Sequence, residues 1–144
     1  MQMTAGDQTK YPKLTRYVKA SLPQVINVPS IVGAMRRIGQ LSKADFQKAL
    51  QWGSGPMLKV VAMADLGQFS PNIGSSELRL QKKMVEDFEA GKGVRKTATN
   101  KDVYLVGVTI LHELVHYGDD QDGVDHPKEE GNEFEKLVYG KVVQ

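Results

Sequence analysis

His112, Glu113 and His116 stand in the stretch Val108-Thr-Ile-Leu-His-Glu-Leu-Val-His-Tyr117. On an α-helix, residues four apart lie about 40° apart around the axis and one turn along. Both imidazoles therefore point at one place, where two neutral ring nitrogens can hold a tetrahedral Zn²⁺ and leave room for a third ligand and a water. Glu113 follows the first histidine on the side where that water would lie. A carboxylate there can take the water's proton and pass it to a leaving amine. Two of the chain's three histidines fall in this register, which fewer than about 1% of shuffled sequences would achieve. The pattern predicts a metal-dependent hydrolytic site with His112 and His116 as ligands and Glu113 as general base.

The element carrying these residues reads as a buried helix. Val103, Leu105, Val106, Val108, Ile110, Leu111, Leu114 and Val115 leave it almost no polar face. Buried imidazoles and a buried carboxylate need partners, and a metal ion supplies them. Asp102 is placed to cap this helix and Gly118 to end it.

The third ligand is expected from a closing helix that starts near Pro127 and runs to about Tyr139. Taking Phe134, Leu137 and Val138 as its apolar face, Glu130 falls within that face at about 100° per residue. Glu133 lies at the edge of the face, and Glu129 and Glu135 lie off it. Glu130 is the favoured ligand, with Glu133 and Glu129 behind it, and Gly131 would permit close helix approach. Asp122, six residues after His116, offers a different layout in which the ligand follows a glycine turn. The acidic loop Asp119 to Asp125 also suits a calcium loop in part, although the plainer reading is a solvated turn.

Earlier segments supply the scaffold. Helices are expected over Lys13 to Leu22, Ile31 to Ile38, a stretch capped by Ser42, and Gln81 to Ala90. Met57 to Met63 reads as a buried strand, Gly67 to Ser76 as loop, and Glu77 to Leu80 as an edge strand able to pair with a substrate backbone. The fold class is α+β: a small β-sheet, a central helix bearing the histidines, and a C-terminal helix bringing the third ligand. Residues 1–10 read as a polar N-terminal tail and 11–144 as one domain.

A chain of 144 residues, 40% hydrophobic and 25% charged, fits a single ordinary globular domain. A net charge of +2 with scattered basic residues gives no reason to invoke nucleic acid. No apolar run reaches the length of a membrane span, and no signal peptide is evident. The absence of cysteine removes disulfides and thiolate ligands, so a zinc site must be built from His, Glu or Asp. Tyr117 and Tyr139, nearest in sequence to the site, could offer a phenol to a developing oxyanion.

The combination of His-Glu-Leu-Val-His-Tyr-Gly-Asp119 with Glu129-Glu-Gly-Asn-Glu-Phe-Glu135 resembles the third family of zincin-like metallopeptidase toxin domains from bacterial polymorphic toxin systems. Tyr11-Pro-Lys-Leu14 and Trp52-Gly-Ser-Gly-Pro56 are similar to that family's earlier segments. The resemblance implies a zincin fold, a zinc ion on His112 and His116, Glu113 as base, and an acidic ligand from the Glu-Glu-Gly segment. It also implies a toxic effector that cleaves peptide bonds, is delivered into a target cell by a secretion system, and is neutralised by a cognate immunity protein. Two rival functions share the motif: a zinc amidase acting on cell-wall peptide, and a non-catalytic zinc-binding interaction module.

Overall fold

The computed structural model describes residues 1–69, 77–121 and 129–144. Among them the architecture is mixed α+β, as expected: a four-stranded sheet, a two-stranded sheet and seven α-helices. The larger sheet has strand order β1-β2-β4-β3, built from β1 (Gln2–Met3), β2 (Met57–Val61), β4 (Glu77–Gln81) and β3 (Gly67–Phe69). β1 and β4 run parallel to β2, and β3 runs antiparallel to β4. The stretch expected as a polar tail thus contributes the first strand, and α1 (Ala5–Lys10) follows it. Met1 and Met3 are buried, and the Met1 amine donates to the carbonyls of Ala49, Gln51 and Ser54.

β4 is an inner strand, not the expected edge. Its Leu78 and Leu80 are wholly buried. Its polar residues are satisfied sideways instead of by solvent: Glu77 is paired with Lys59 of β2 at 3.3 Å and with Arg79 at 3.0 Å. The edge on that side of the sheet is β3, three residues within the stretch that reads as loop; a segment so short has no periodicity to detect.

The helical layer begins with α2 (Pro12–Arg16), which loosens into a π turn over Tyr17–Ser21 and a 3₁₀ segment over Leu22–Asn27. α3 (Pro29–Arg37), α4 (Lys43–Leu50) and α5 (Lys82–Glu89) lie where apolar spacing placed them. The Asp45 N–H donates to Ser42 Oγ at 3.1 Å, the expected cap of α4.

The central helix, α6, spans Leu105–Gln121 and differs from expectation at both ends. Asp102 does not cap it. That residue sits in β6 (Asp102–Tyr104), opposite Lys96 of β5 (Val94–Lys96), and pairs with the lysine. The first helical N–H, from Leu105, instead donates to the Gly93 carbonyl at 2.8 Å. Gly118 does not stop the helix either. A Cβ there would lie 2.1 Å from the Gly39 carbonyl oxygen, so this glycine serves the close approach of α6 to the turn after α3. α6 packs on β3, β4 and α7 (Glu130–Tyr139), which closes the core. Among the described residues no helix is long and apolar enough to cross a membrane.

Candidate metal centre

Leu105 to Val115 are buried on every side of α6, so the helix carries its few polar groups into the interior. His112 and Glu113 are 7% and 5% exposed, while His116, one turn on, reaches the edge of a cleft. The two imidazole centroids are 5.4 Å apart, the geometry their four-residue spacing predicts.

His112 is held from two directions. Its Nδ1 lies 2.7 Å from Oε1 of Glu135, a wholly buried residue of α7. Burial works to raise that carboxyl's pKa, but the hydrogen bonds from His112 and Val143, with the His112 charge, hold it below the usual carboxylate range. An ionised carboxylate can only accept, so His112 donates from Nδ1, and in the neutral imidazole that leaves the lone pair on Nε2. Across the ring lies Gly131, where a Cβ would come within 2.2–2.4 Å of Nε2, Cδ2 and Cε1. Any side chain there would displace the imidazole. Gly131 thus provides the close helix approach expected of it.

Glu113 faces β3. A Cβ on Gly67 would meet Thr109 Cγ2 at 2.6 Å and the Glu113 Cγ and Oε1 at 3.0 Å, so the strand rests directly on the glutamate. Burial raises the Glu113 carboxyl to about 7. The His112 charge and a hydrogen bond from the Phe69 backbone pull it down, and the charges of Glu129 and Asp65 push it up further. A carboxyl near neutrality is matched to proton transfer at physiological pH.

Within the described residues, His112, His116 and Glu129 form a potential metal-binding group, with one ligand atom from each lying within 4.8 Å of the others. Glu130, the expected third member, is not in this group. It is buried, but it lines a separate cavity of about 560 Å³ with Arg37, Ile38, Gln40 and Lys136. The reason lies at the helix start. Glu129 is the residue before α7, with φ −69° and ψ 72°, so helical spacing does not govern where its side chain goes. The buried face of α7 also differs from one drawn through Phe134, Leu137 and Val138. Leu137 is 50% exposed and Glu133 is exposed, whereas Gly131, Phe134 and Glu135 are buried. Glu135, set aside on the wheel, stands in the middle of the buried stripe. Its signal in the sequence was spacing alone, four residues after Gly131 and one after Phe134. Asp122 and most of the acidic loop lie outside the described residues.

The cleft has a volume of about 800 Å³ and opens between β3 and the start of α7. Asp65, Gln68, Phe69, Asp119, Asp120, Asn132 and Gln144 surround His112, Glu113, His116 and Glu129 there. Neither tyrosine lines it: Tyr117 stacks edge-on against Phe69, and Tyr139 is buried beside Phe134. Two imidazoles and a carboxylate, with no thiolate in the chain, are a donor set that suits a divalent cation such as zinc. The Glu135 carboxylate backs His112 at Nδ1, so Nε2 is the ring nitrogen left for other partners. These residues fit a metal site. A model of the family described as metallopeptidase toxin 3 matches residues 7–140 of the chain. No curated protein and no solved structure matches it.

Proposed function

From the premise that this chain belongs to the metallopeptidase toxin 3 family, we propose that it is a zinc-dependent metallopeptidase acting through Glu113. Membership makes it a toxic metallopeptidase domain, for which a divalent metal and a peptide substrate are implied. The observation that carries the finer reading is the grouping of His112, His116 and Glu129 beside a buried glutamate in an open cleft. His112, His116 and Glu129 would hold the ion, Glu129 replacing Glu130 as the acidic ligand.

Zinc, when bound, activates a water and polarises the scissile carbonyl. The remaining work belongs to the chain. Glu113 would accept the water's proton on its carboxylate and deliver it to the departing amide nitrogen. The Phe69 N–H and the close packing of Gly67 keep that carboxylate from swinging away. β3 is the edge strand beside the cleft, and among the described residues no further strand pairs with its outer side, which can align a substrate backbone by strand addition. This role passes to β3 from the Glu77 to Leu80 segment, which is internal.

The open cleft beside Glu113 favours catalysis over a closed, purely structural zinc site. Delivery into a target cell by a secretion system and neutralisation by an immunity protein complete the proposal on the strength of the family. Metal analysis of the purified protein tests its foundation. One zinc per chain is expected, with most of it lost in His112→Ala and in His116→Ala; unchanged zinc in both variants would refute the site. Parallel assays on protein and on peptidoglycan separate the peptidase from a cell-wall amidase.

A further inference from the structure

The Glu135 carboxylate is buried to 0% exposure, and among the described residues no lysine or arginine hydrogen-bonds to it. Its described partners are all N–H donors. Oε1 accepts from His112 Nδ1 at 2.7 Å and from Gln144 Nε2 at 2.5 Å. Oε2 accepts from the Val143 N–H at 2.6 Å and the Gln144 N–H at 3.3 Å. A group so enclosed has one low-energy orientation, because turning it would strand several donors at once. Three of the four donors come from residues 143 and 144, which reach α7 after the left-handed turn at Gly140, φ +79°. Gln144 also lines the cleft. One short segment thus touches both the substrate space and the support of His112.

We propose that Glu135 is a positioning residue of the metal centre and that Val143–Gln144 is the clamp that holds it against His112. The inference rests on the proposed metal site. The clamp orients the carboxylate; the carboxylate fixes the proton of His112 on Nδ1; the imidazole then offers Nε2 to the ion without having to reorient. A role confined to tying residues 143 and 144 onto α7 would need no contact with His112. An amide in place of the carboxylate would turn an N–H₂ towards either the imidazole or the two backbone N–H groups, so one side of the clamp must break.

The test uses the full chain with Glu135→Gln and Gln144→Ala. In metal-free protein above pH 8, long-range ¹H–¹⁵N correlations report which His112 nitrogen carries the proton. Nδ1–H is expected in the wild type and a mixture of tautomers in Glu135→Gln. Zinc affinity, measured by competition with a chromophoric chelator, should fall about 10- to 100-fold in Glu135→Gln. Gln144→Ala, which leaves the backbone clamp in place, should weaken binding by at least about threefold with an unchanged unfolding temperature. It carries the test if Glu135→Gln does not fold. Wild-type tautomer and zinc affinity in a folded Glu135→Gln would overturn the positioning role, and unchanged affinity in Gln144→Ala would overturn the clamp. Failure of the wild type to bind zinc through His112 and His116 would instead remove the metal site itself.

Discussion

Replacing Glu113 by glutamine should make the metal-free protein more stable, and increasingly so as pH rises. In the folded chain burial lifts this carboxyl to about 7, from the ordinary glutamate value of 4.5. Between those values the native state keeps a proton that the unfolded chain has released, so wild-type stability falls as pH rises through the window. Above pH 7 the loss is complete, at about 3 kcal/mol for a displacement of that size. Between pH 5 and pH 8 the part lost is about 2.5 kcal/mol. Glutamine has no proton to lose and can still accept from the Phe69 N–H. The stability advantage of Glu113→Gln over wild type should therefore grow by about 2.5 kcal/mol from pH 5 to pH 8, or roughly 5–10 °C in unfolding temperature. Thermal and urea unfolding of both proteins after chelation, at the two pH values, measures it. Added zinc should shrink the gap, because a cation beside Glu113 favours the carboxylate. An advantage that stays constant within about 0.5 kcal/mol between the two pH values would refute the view that Glu113 is a desolvated carboxyl.

Three further outcomes follow from the same geometry. Gly131→Ala should abolish zinc binding, since its Cβ would land 2.2 Å from His112 Nε2, whereas Gly33→Ala, with nothing within 4 Å, should bind normally; calorimetric zinc titration of the two decides. Glu129→Ala should weaken zinc binding at least about 10-fold while Glu130→Ala leaves it near wild type, and the opposite result would return the ligand role to Glu130. Expression of the wild-type domain in a bacterial compartment that contains its target should arrest growth and Glu113→Ala should not; equal toxicity would separate the harm from the chemistry at Glu113.

The placement of His112 and His116 on one buried helix could be read from the sequence because their spacing and the surrounding apolar run point the same way. β2, α3, α4 and α5 were legible for a similar reason: each combines a periodic apolar pattern with a local start or stop signal. The features that escaped are those where a tertiary partner overrides local pattern. Asp102 looks like a cap until Lys96 pairs with it across a hairpin. Gly118 looks like a helix stop until the approach of Gly39 gives it another reason. Glu77 and Arg79 mark an edge strand only if their charges are assumed to face water, and instead they satisfy each other and Lys59 within the sheet. Glu135 escaped because a face drawn through Phe134, Leu137 and Val138 leaves it to one side, whereas hydrogen bonds to His112 and from Val143 hold it in the core. Glu129, not Glu130, groups with His112 and His116 because it precedes α7 with non-helical dihedrals, and helix starts are where sequence-based boundaries are least sharp.

The central claim is that Glu113 performs proton transfer for peptide hydrolysis at a zinc held by His112, His116 and Glu129. Turnover of an unstructured protein substrate by wild type and Glu113→Gln, each carrying one zinc per chain, tests it most directly. Turnover is expected to fall at least about 10²-fold in the variant, the usual scale for removing a general base. Cleavage by zinc-loaded Glu113→Gln at near the wild-type rate would contradict it.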